Sequence, residues 1–290
     1  MKKSFAILLL ALFLTGCKVI SSFEPSATPT LIPEPPTPTP IPAAAVVNGE
    51  RIPLEEYNAS LKQVQDAQAS MGTASTPEEQ RQIVLDDLIG QTLLAQAAVD
   101  AGLTLDDAAL QAKIDALTAE IGGQDQLADW IIRMGYSAES FRSALRRADT
   151  AALKRDQIVD SVPTSAVQVH ARQILLRHVE TANDLYAQLE AGADFATLAY
   201  IYDPLTGGDL GWFPRGYLVQ PAVEEAAFAL ETGQHSAVIE TSYGYHLVYV
   251  IERDEEHELS PEALRQIQRG AVQQWIDERR AQSEIEILVP

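Results

Sequence analysis

The sequence predicts an α+β chain: a lobe of amphipathic helices, then a mixed α/β unit, then one more long helix. Three observations predict it. Apolar residues recur at three- and four-residue spacing between positions 54 and 159, as in Leu85, Leu88, Ile89 and Leu93. Val162-Pro163-Thr164 breaks that pattern. Beyond it, two strand-like stretches, Gln168–Arg177 and Tyr245–Glu252, bracket short helical segments. A chain of 290 residues has room for one or two such cores.

In chain order, Val46-Val47-Asn48-Gly49-Glu50-Arg51-Ile52 reads as a strand and turn, with Asn-Gly supplying the positive φ. Leu54–Met71 is the first helix. Thr76-Pro77-Glu78-Glu79 is a capping box with proline at the first helical position, and it opens a helix that Gly102 closes. Thr104-Leu105-Asp106-Asp107 caps the next, which ends at Gly122-Gly123. Gln126–Met134 is short and stops at Gly135. Ser137 caps Ala138–Val159. In the α/β unit, helices are expected at Thr181–Glu190, Phe195–Tyr200 and Ala222–Leu230, with a loop through Gly207-Gly208. Ser260-Pro261-Glu262-Ala263 begins the last helix, and Ile285–Leu288 reads as a closing strand.

The N-terminus carries a secretion signal. Lys2 and Lys3 precede the apolar run Phe5–Leu14, which is too short to span a bilayer. It ends in Leu14-Thr15-Gly16-Cys17, similar to a bacterial lipobox. Residues 1–16 are then the signal peptide, and Cys17 is the acylated first residue of the mature chain. Several acyl chains give a stable membrane anchor where one gives a marginal one. Cys17 is the only cysteine, so no internal disulfide is available and the exported fold must rest on its core. Residues 17–44 form a Pro/Thr-rich tether holding half of the chain's 16 prolines. In polyproline II it would reach about 80 Å. The expected location is the extracytoplasmic face of the cell membrane.

Composition excludes several function classes. A net charge of −20 argues against nucleic acid, whose phosphates need clustered Lys and Arg. No His-Glu-x-x-His or Cys/His cluster suggests a metal, and none is expected. No Gly-Lys-Ser/Thr follows Gly207-Gly208, and no serine sits in a Gly-x-Ser-x-Gly elbow. No cofactor is expected. The run Asp254-Glu255-Glu256 reads as a solvated linker, and His235 and His257 as surface residues. Trp212 reads as a packing residue and not as a ligand stacker.

The segment Ile201–His246 carries Asp203, Leu218, Phe228, Thr241 and His246 at a spacing similar to that of parvulin-type peptidyl-prolyl isomerases. Gly207-Gly208-Asp209-Leu210-Gly211-Trp212, Glu224-Glu225-Ala226-Ala227-Phe228-Ala229-Leu230 and Gly244-Tyr245-His246 are its most specific parts. With Val46-Val47-Asn48-Gly49-Glu50 and the pattern Gly135-Tyr136-Ser137, Phe141 and Leu145, the chain after the tether resembles the PrsA/SurA class of extracytoplasmic foldases. The resemblance implies a SurA/PrsA-like helical chaperone domain over 45–165, a parvulin-like (FKBP-like) α/β domain over 166–254, and a C-terminal helix and strand over 255–290 that pack back on the chaperone domain. It implies a membrane-anchored isomerase and foldase whose partners are unfolded or partly folded exported proteins with X-Pro bonds.

By position, the resemblance places Asp203, Gln173, Thr241 and His246 at the catalytic floor. Leu218, Val223, Phe228 and Tyr243 would contact substrate. Three departures stand out. Gln173 occupies the place of a usual histidine, Val223 is smaller than the usual phenylalanine, and the loop between Tyr202 and Gly207 is short. Strand alternation puts Gln173 on one face with Ala171 and Leu175, and His170 on the other. Glutamine both donates and accepts, so it can keep a hydrogen-bond chain to Thr241 or His246, but it cannot titrate. Two rival readings follow: a holdase whose parvulin domain binds peptides without turnover, and a scaffolding envelope lipoprotein.

Overall fold

The computed structural model describes residues 42–73 and 75–289. The expected signal peptide, Cys17 and the tether up to residue 41 lie outside the described residues. The elements run β1 (Ala43–Val47), β2 (Glu50–Pro53), α1 (Leu54–Met71), α2 (Pro77–Asp100), α3 (Asp107–Ile121), α4 (Gln124–Met134), α5 (Ala138–Asp160), β3 (Ser165–Leu176), α6 (Val179–Glu190), α7 (Phe195–Tyr202), β4 (Asp209–Pro214), α8 (Pro221–Ala229), β5 (Ile239–Thr241), β6 (Gly244–Glu258), α9 (Pro261–Ala281) and β7 (Ile285–Ile287).

The helical lobe is seeded by a small sheet in the order β2-β1-β7. Asn48 and Gly49 make its turn at φ 51° and 84°. The Asn48 side chain also receives the Glu284 N–H at 2.9 Å and donates to Gln96 and Ser283. One turn residue therefore joins both ends of the described chain. Ala43 and Ala44 lie in β1, although the sequence reading placed them in the tether. Ala44 is fully buried, and the Leu54 N–H donates to the Pro42 carbonyl at 2.9 Å. Under this sheet, Val47, Ile52, Tyr57, Leu85, Leu88, Ile89 and Leu93 form one core. Fully burying such side chains contributes about 1.5–3 kcal/mol each.

The helix ends follow their caps. Thr76 and Glu79 complete the expected capping box, and Ser137 and Ser140 form another. For α3 the N-cap is Asp106, whose carboxylate receives the Ala109 N–H at 2.7 Å.

The α/β unit is a four-stranded antiparallel sheet in the order β4-β3-β6-β5. One face packs Val169, Ala171, Val248 and Val250 against α8. The other packs Ile174, Leu176 and Leu247 against α6 and α7. The structure corrects the sequence reading in three places. Strand β4 occupies part of the expected loop, β5 was not foreseen, and β6 continues through Asp254-Glu255-Glu256 to Glu258. The acidic run is strand because β3 starts at Ser165 and supplies it with backbone partners, Ser165 opposite Glu258 and Gln168 opposite Asp254. His257 is half-buried, stacked on Trp212 with ring centroids 4.1 Å apart, and His235 bridges to Tyr249, so neither is simply a surface residue.

Helices α2, α5 and α9 form the second half of the helical core, where Leu94, Ala95 and Ala151 meet Trp275 and Ile276. Near it, Arg147 on α5 makes an ion pair with Glu56 on α1 and lies 3.5 Å from Glu50 on β2. Glu56 is 3% exposed, so its charge depends on that guanidinium. Removing one partner of a buried pair strands the other charge. Arg147→Ala is expected to lower unfolding stability by about 3 kcal/mol in chemical denaturation. Arg147→Met combined with Glu56→Gln should recover most of that loss.

Candidate functional site

Strands β3 and β6 pair Gln173 with Val248 and Leu175 with His246. Residues opposite one another in an antiparallel pair share a face, so Gln173 and His246 are diagonal neighbours on the α8 side of the sheet. His246 is 1% exposed. Its Nδ1 lies 3.0 Å from Gln173 Oε1, and its Nε2 lies 2.9 Å from Thr241 Oγ1. Thr241 Oγ1 in turn receives the Tyr243 N–H at 3.1 Å.

The protons in this chain can be assigned from donor capacity. The carbonyl oxygen of Gln173 only accepts, so Nδ1 of His246 donates. The neutral ring then presents a lone pair at Nε2, and the Thr241 hydroxyl donates to it. The polarity runs one way: Tyr243 N–H to Thr241, Thr241 to His246, His246 to Gln173. Burial holds the His246 pKa below its ordinary value, in keeping with a neutral ring.

Asp203 sits at the C-cap of α7 and organises its own loop. Its carboxylate accepts from the Leu205 and Thr206 N–H groups at 3.1 and 3.2 Å, from the Gly208 N–H at 3.3 Å, and from the Thr206 hydroxyl. These donors, the Thr206 side chain foremost, hold its pKa below the usual carboxylate range. The loop docks on the floor through its backbone, since the Gln173 N–H donates to the Gly208 carbonyl at 2.8 Å. Gly208 has φ +68°, and a Cβ there would fall 1.9 Å from the Gln173 carbonyl oxygen. The short loop thus places Asp203 beside β3, with its hydrogen bonds directed into the loop.

Of the residues expected to form the cup, Val223 is 1% and Phe228 5% exposed, both within the cluster around Phe213. Leu218 is half-buried against the same cluster. Val223 and Phe228 are therefore core residues, and of the three only Leu218 is partly accessible. The Arg215 guanidinium lies 4.4 Å from the Phe228 ring centroid. Exposed apolar residues flank the floor: Leu175 beside His246, Tyr243 on the β5 side, and Leu205 on the Asp203 loop. Leu205, Leu175 and Arg215 were not foreseen. Leu175 was legible from strand alternation, as it shares a face with Gln173. Nothing in the local sequence distinguishes the other two.

The helical lobe has its own recess, a cleft of about 430 Å³ whose lining includes Val84, Leu88, Trp130, Tyr136, Phe141 and Leu145. A second cleft of about 390 Å³ shares Trp130 and Phe141, whose rings meet edge-on at 6.0 Å. Among the described residues, no group of three or more His, Cys, Asp or Glu is arranged to hold a metal ion, and no helix is long and apolar enough to cross a membrane.

The fold is a helical lobe carrying a parvulin-like α/β unit, and known families resemble each of them in part. A family model described as a PPIC-type PPIase domain matches residues 157–254, and one described as a SurA-like N-terminal domain matches residues 40–126. The foldase protein PrsA of Caldanaerobacter subterraneus is 32% identical over 224 residues, covering 70% of this chain and 71% of that protein. The chaperone SurA of Burkholderia thailandensis is 37% identical over 146 residues, covering 43% of this chain and 32% of that one. A crystal structure of the peptidylprolyl isomerase PrsA from Bacillus cereus aligns over 81% of this chain and 85% of that one, with 22% identity and a TM-score of 0.45. The chain belongs to the PrsA foldase family.

Two expected outcomes follow from the floor. An unfolded histidine titrates near 6.5, and His246 in the fold titrates lower. Between those values the unfolded state binds more protons, so stability falls as pH drops through that window. The melting temperature of the wild type should decline more steeply from pH 7.5 to pH 5.5 than that of His246→Gln. Gly208→Ala should lower the melting temperature by several degrees, because its Cβ would collide with a backbone oxygen in a backbone region that favours glycine.

Proposed function

We propose that this protein is an extracytoplasmic foldase that isomerises X-Pro bonds in unfolded exported proteins, held to the membrane through an acylated Cys17. Membership of the PrsA family supports the foldase role. The single observation that carries the isomerase reading is the continuous chain Thr241–His246–Gln173 on the sheet face beside Leu218 and Phe228. Glutamine stands where the resemblance expects histidine, and its carbonyl still accepts the hydrogen bond of His246 Nδ1–H.

Rotation about a prolyl bond is opposed by amide resonance, a barrier of about 18–20 kcal/mol. No bond to a heavy atom breaks, so the catalyst needs no nucleophile. It must bind the twisted amide better than the planar one, by about 7 kcal/mol for a 10⁵-fold gain. On this reading Leu218, backed by Val223 and Phe228, takes the pyrrolidine ring. The neutral His246 floor holds the wall residues apart without placing an ion under the amide. Asp203 fixes the loop that closes one side, and Tyr243, Leu175 and Leu205 contact flanking residues of the client. The helical cleft around Trp130 and Phe141 holds apolar client segments while proline bonds are sampled.

A second reading, a holdase that binds without turnover, is favoured by the burial of Val223 and Phe228, which leaves Leu218 as the main accessible wall. The two are separated by one experiment, a proline-peptide assay coupled to a conformer-specific protease. The isomerase reading expects turnover well above the uncatalysed rate, and a loss of about tenfold or more in kcat/KM for His246→Ala. Turnover unaffected by His246→Ala would discard the floor assignment. Suppression of client aggregation without any turnover would select the holdase.

A further inference from the structure

We propose that Gln266, on α9, is a positioning residue for the prolyl cup, through which the helical lobe sets the geometry of the isomerase site; this rests on the cup assignment made above. The loop Arg215–Leu218 carries the accessible cup wall at its end, and two side chains from different elements hold its backbone. Glu224, in the first turn of α8, accepts the N–H groups of Gly216, Tyr217 and Leu218 at 2.7, 2.9 and 2.9 Å. Gln266 Nε2 donates to the carbonyls of Gly216 and Tyr217 at 2.8 and 2.9 Å. The N–H groups and carbonyls of this turn are thus taken up in opposite directions, and the turn has little freedom left.

The chemistry fits an amide at position 266. Its NH₂ group carries two protons for two neighbouring carbonyls. A carboxylate would face the same two oxygens with no proton to offer. Glu224 belongs to the α/β unit, whereas Gln266 belongs to a helix whose remaining length packs on the helical lobe. Trp275 and Ile276 lie against Leu94, Ala95 and Ala151, and Arg280 meets Asp86 at 2.5 Å. Gly90 on α2 lies against the Ile276 side chain, at 3.5 Å from a Cβ placed there. Gln266 and Ile276 are separated by about 15 Å of helix at 1.5 Å rise per residue. A helix of this length is stiff, so a shift of the helical lobe against the α/β unit reaches the cup loop through Gln266. Ser260 caps the start of α9 on Ala263, and the Leu259 N–H donates to the Thr164 carbonyl at 2.8 Å. The lever is therefore anchored beside the point where the chain passes between the two parts.

The test uses the full chain with Gln266→Ala, Gln266→Glu and Gln266→Lys. It reads KM and kcat on an Xaa-Pro peptide, peptide affinity from the Leu218 amide signal, and thermal melts. The expected result is a KM raised about tenfold in Gln266→Ala and further in Gln266→Glu, with kcat within about twofold and an unchanged pH profile. Gln266→Lys, which keeps its donors, should lie close to the wild type. A Gln266→Glu protein with wild-type KM, affinity and Leu218 signal overturns the proposal; Gln266→Ala carries the same test should Gln266→Glu not fold. A wild type that binds peptide without turnover removes the isomerase reading, yet the affinity series still decides the role of Gln266. A wild type that neither binds nor turns over the peptide overturns both.

Discussion

The antiparallel pairing of β3 with β6 is the constraint on which the rest of the described structure hangs. It runs from Ser165 opposite Glu258 at one end to Leu176 opposite Tyr245 at the other. At the second end its register places Gln173 and His246 on one face within hydrogen-bond reach. A slip of one residue would send His246 to the α6–α7 side and dissolve the floor. At the first end the same two strands lead into α5 and α9, so both connections between the helical lobe and the α/β unit run side by side. That ribbon is braced. Gln168 is 2% exposed and donates to the His257 and Glu258 carbonyls at 3.0 and 3.1 Å, while Trp212 lies between His257 and His170.

Much of the helical lobe was legible because its signals are local. A Thr or Ser three residues ahead of its capping partner, or a glycine at a left-handed C-cap, marks an end without knowledge of the rest of the fold. The α/β unit was less legible, for the opposite reason. Strand β4 contains Gly211 and follows two glycines, so its composition reads as loop. It is strand because β3 lends it partners from Gln168 to Arg172. β5 spans only Ile239–Thr241, too short for alternation to register. The far half of β6 is acidic and half-solvated, and only the long β3 reveals it as strand. At the site, alternation alone put Gln173 on the face away from His170. The diagonal offset to His246 required the register, which no single stretch of sequence carries. Gln266 was beyond sequence reasoning altogether, being 50 and 49 residues from the two carbonyls it reaches.

Gln173 changes the electrostatics of the floor more than its shape. An imidazole opposite His246 could give or take a proton, and the pair could share charge. An amide carbonyl fixes the direction, since it accepts and does not ionise. With His246 buried and its pKa depressed, the floor is neutral over the pH range in which the ring remains unprotonated. The loop carboxylate of Asp203 is turned into its own turn, where Thr206 and backbone N–H groups surround it and hold its pKa low.

Neutrality suits the proposed reaction. A planar amide owes its stiffness to a resonance form with negative oxygen and positive nitrogen, and that form is favoured by ions and by water. Twisting the bond discards it. On the proposed reading, apolar contact at Leu218 beside a neutral hydrogen-bonded chain, with the Arg215 cation held on the Phe228 ring, withholds stabilisation from the planar state. The polar chain then acts as a brace. It lets a histidine be buried in the sheet with both ring nitrogens satisfied, and so keeps β5, β6 and β3 in fixed relation. On the same proposed reading, the property this site would supply is rigidity, from the Thr241–His246–Gln173 chain and from the hydrogen bonds of Glu224 and Gln266 to the Gly216–Leu218 turn.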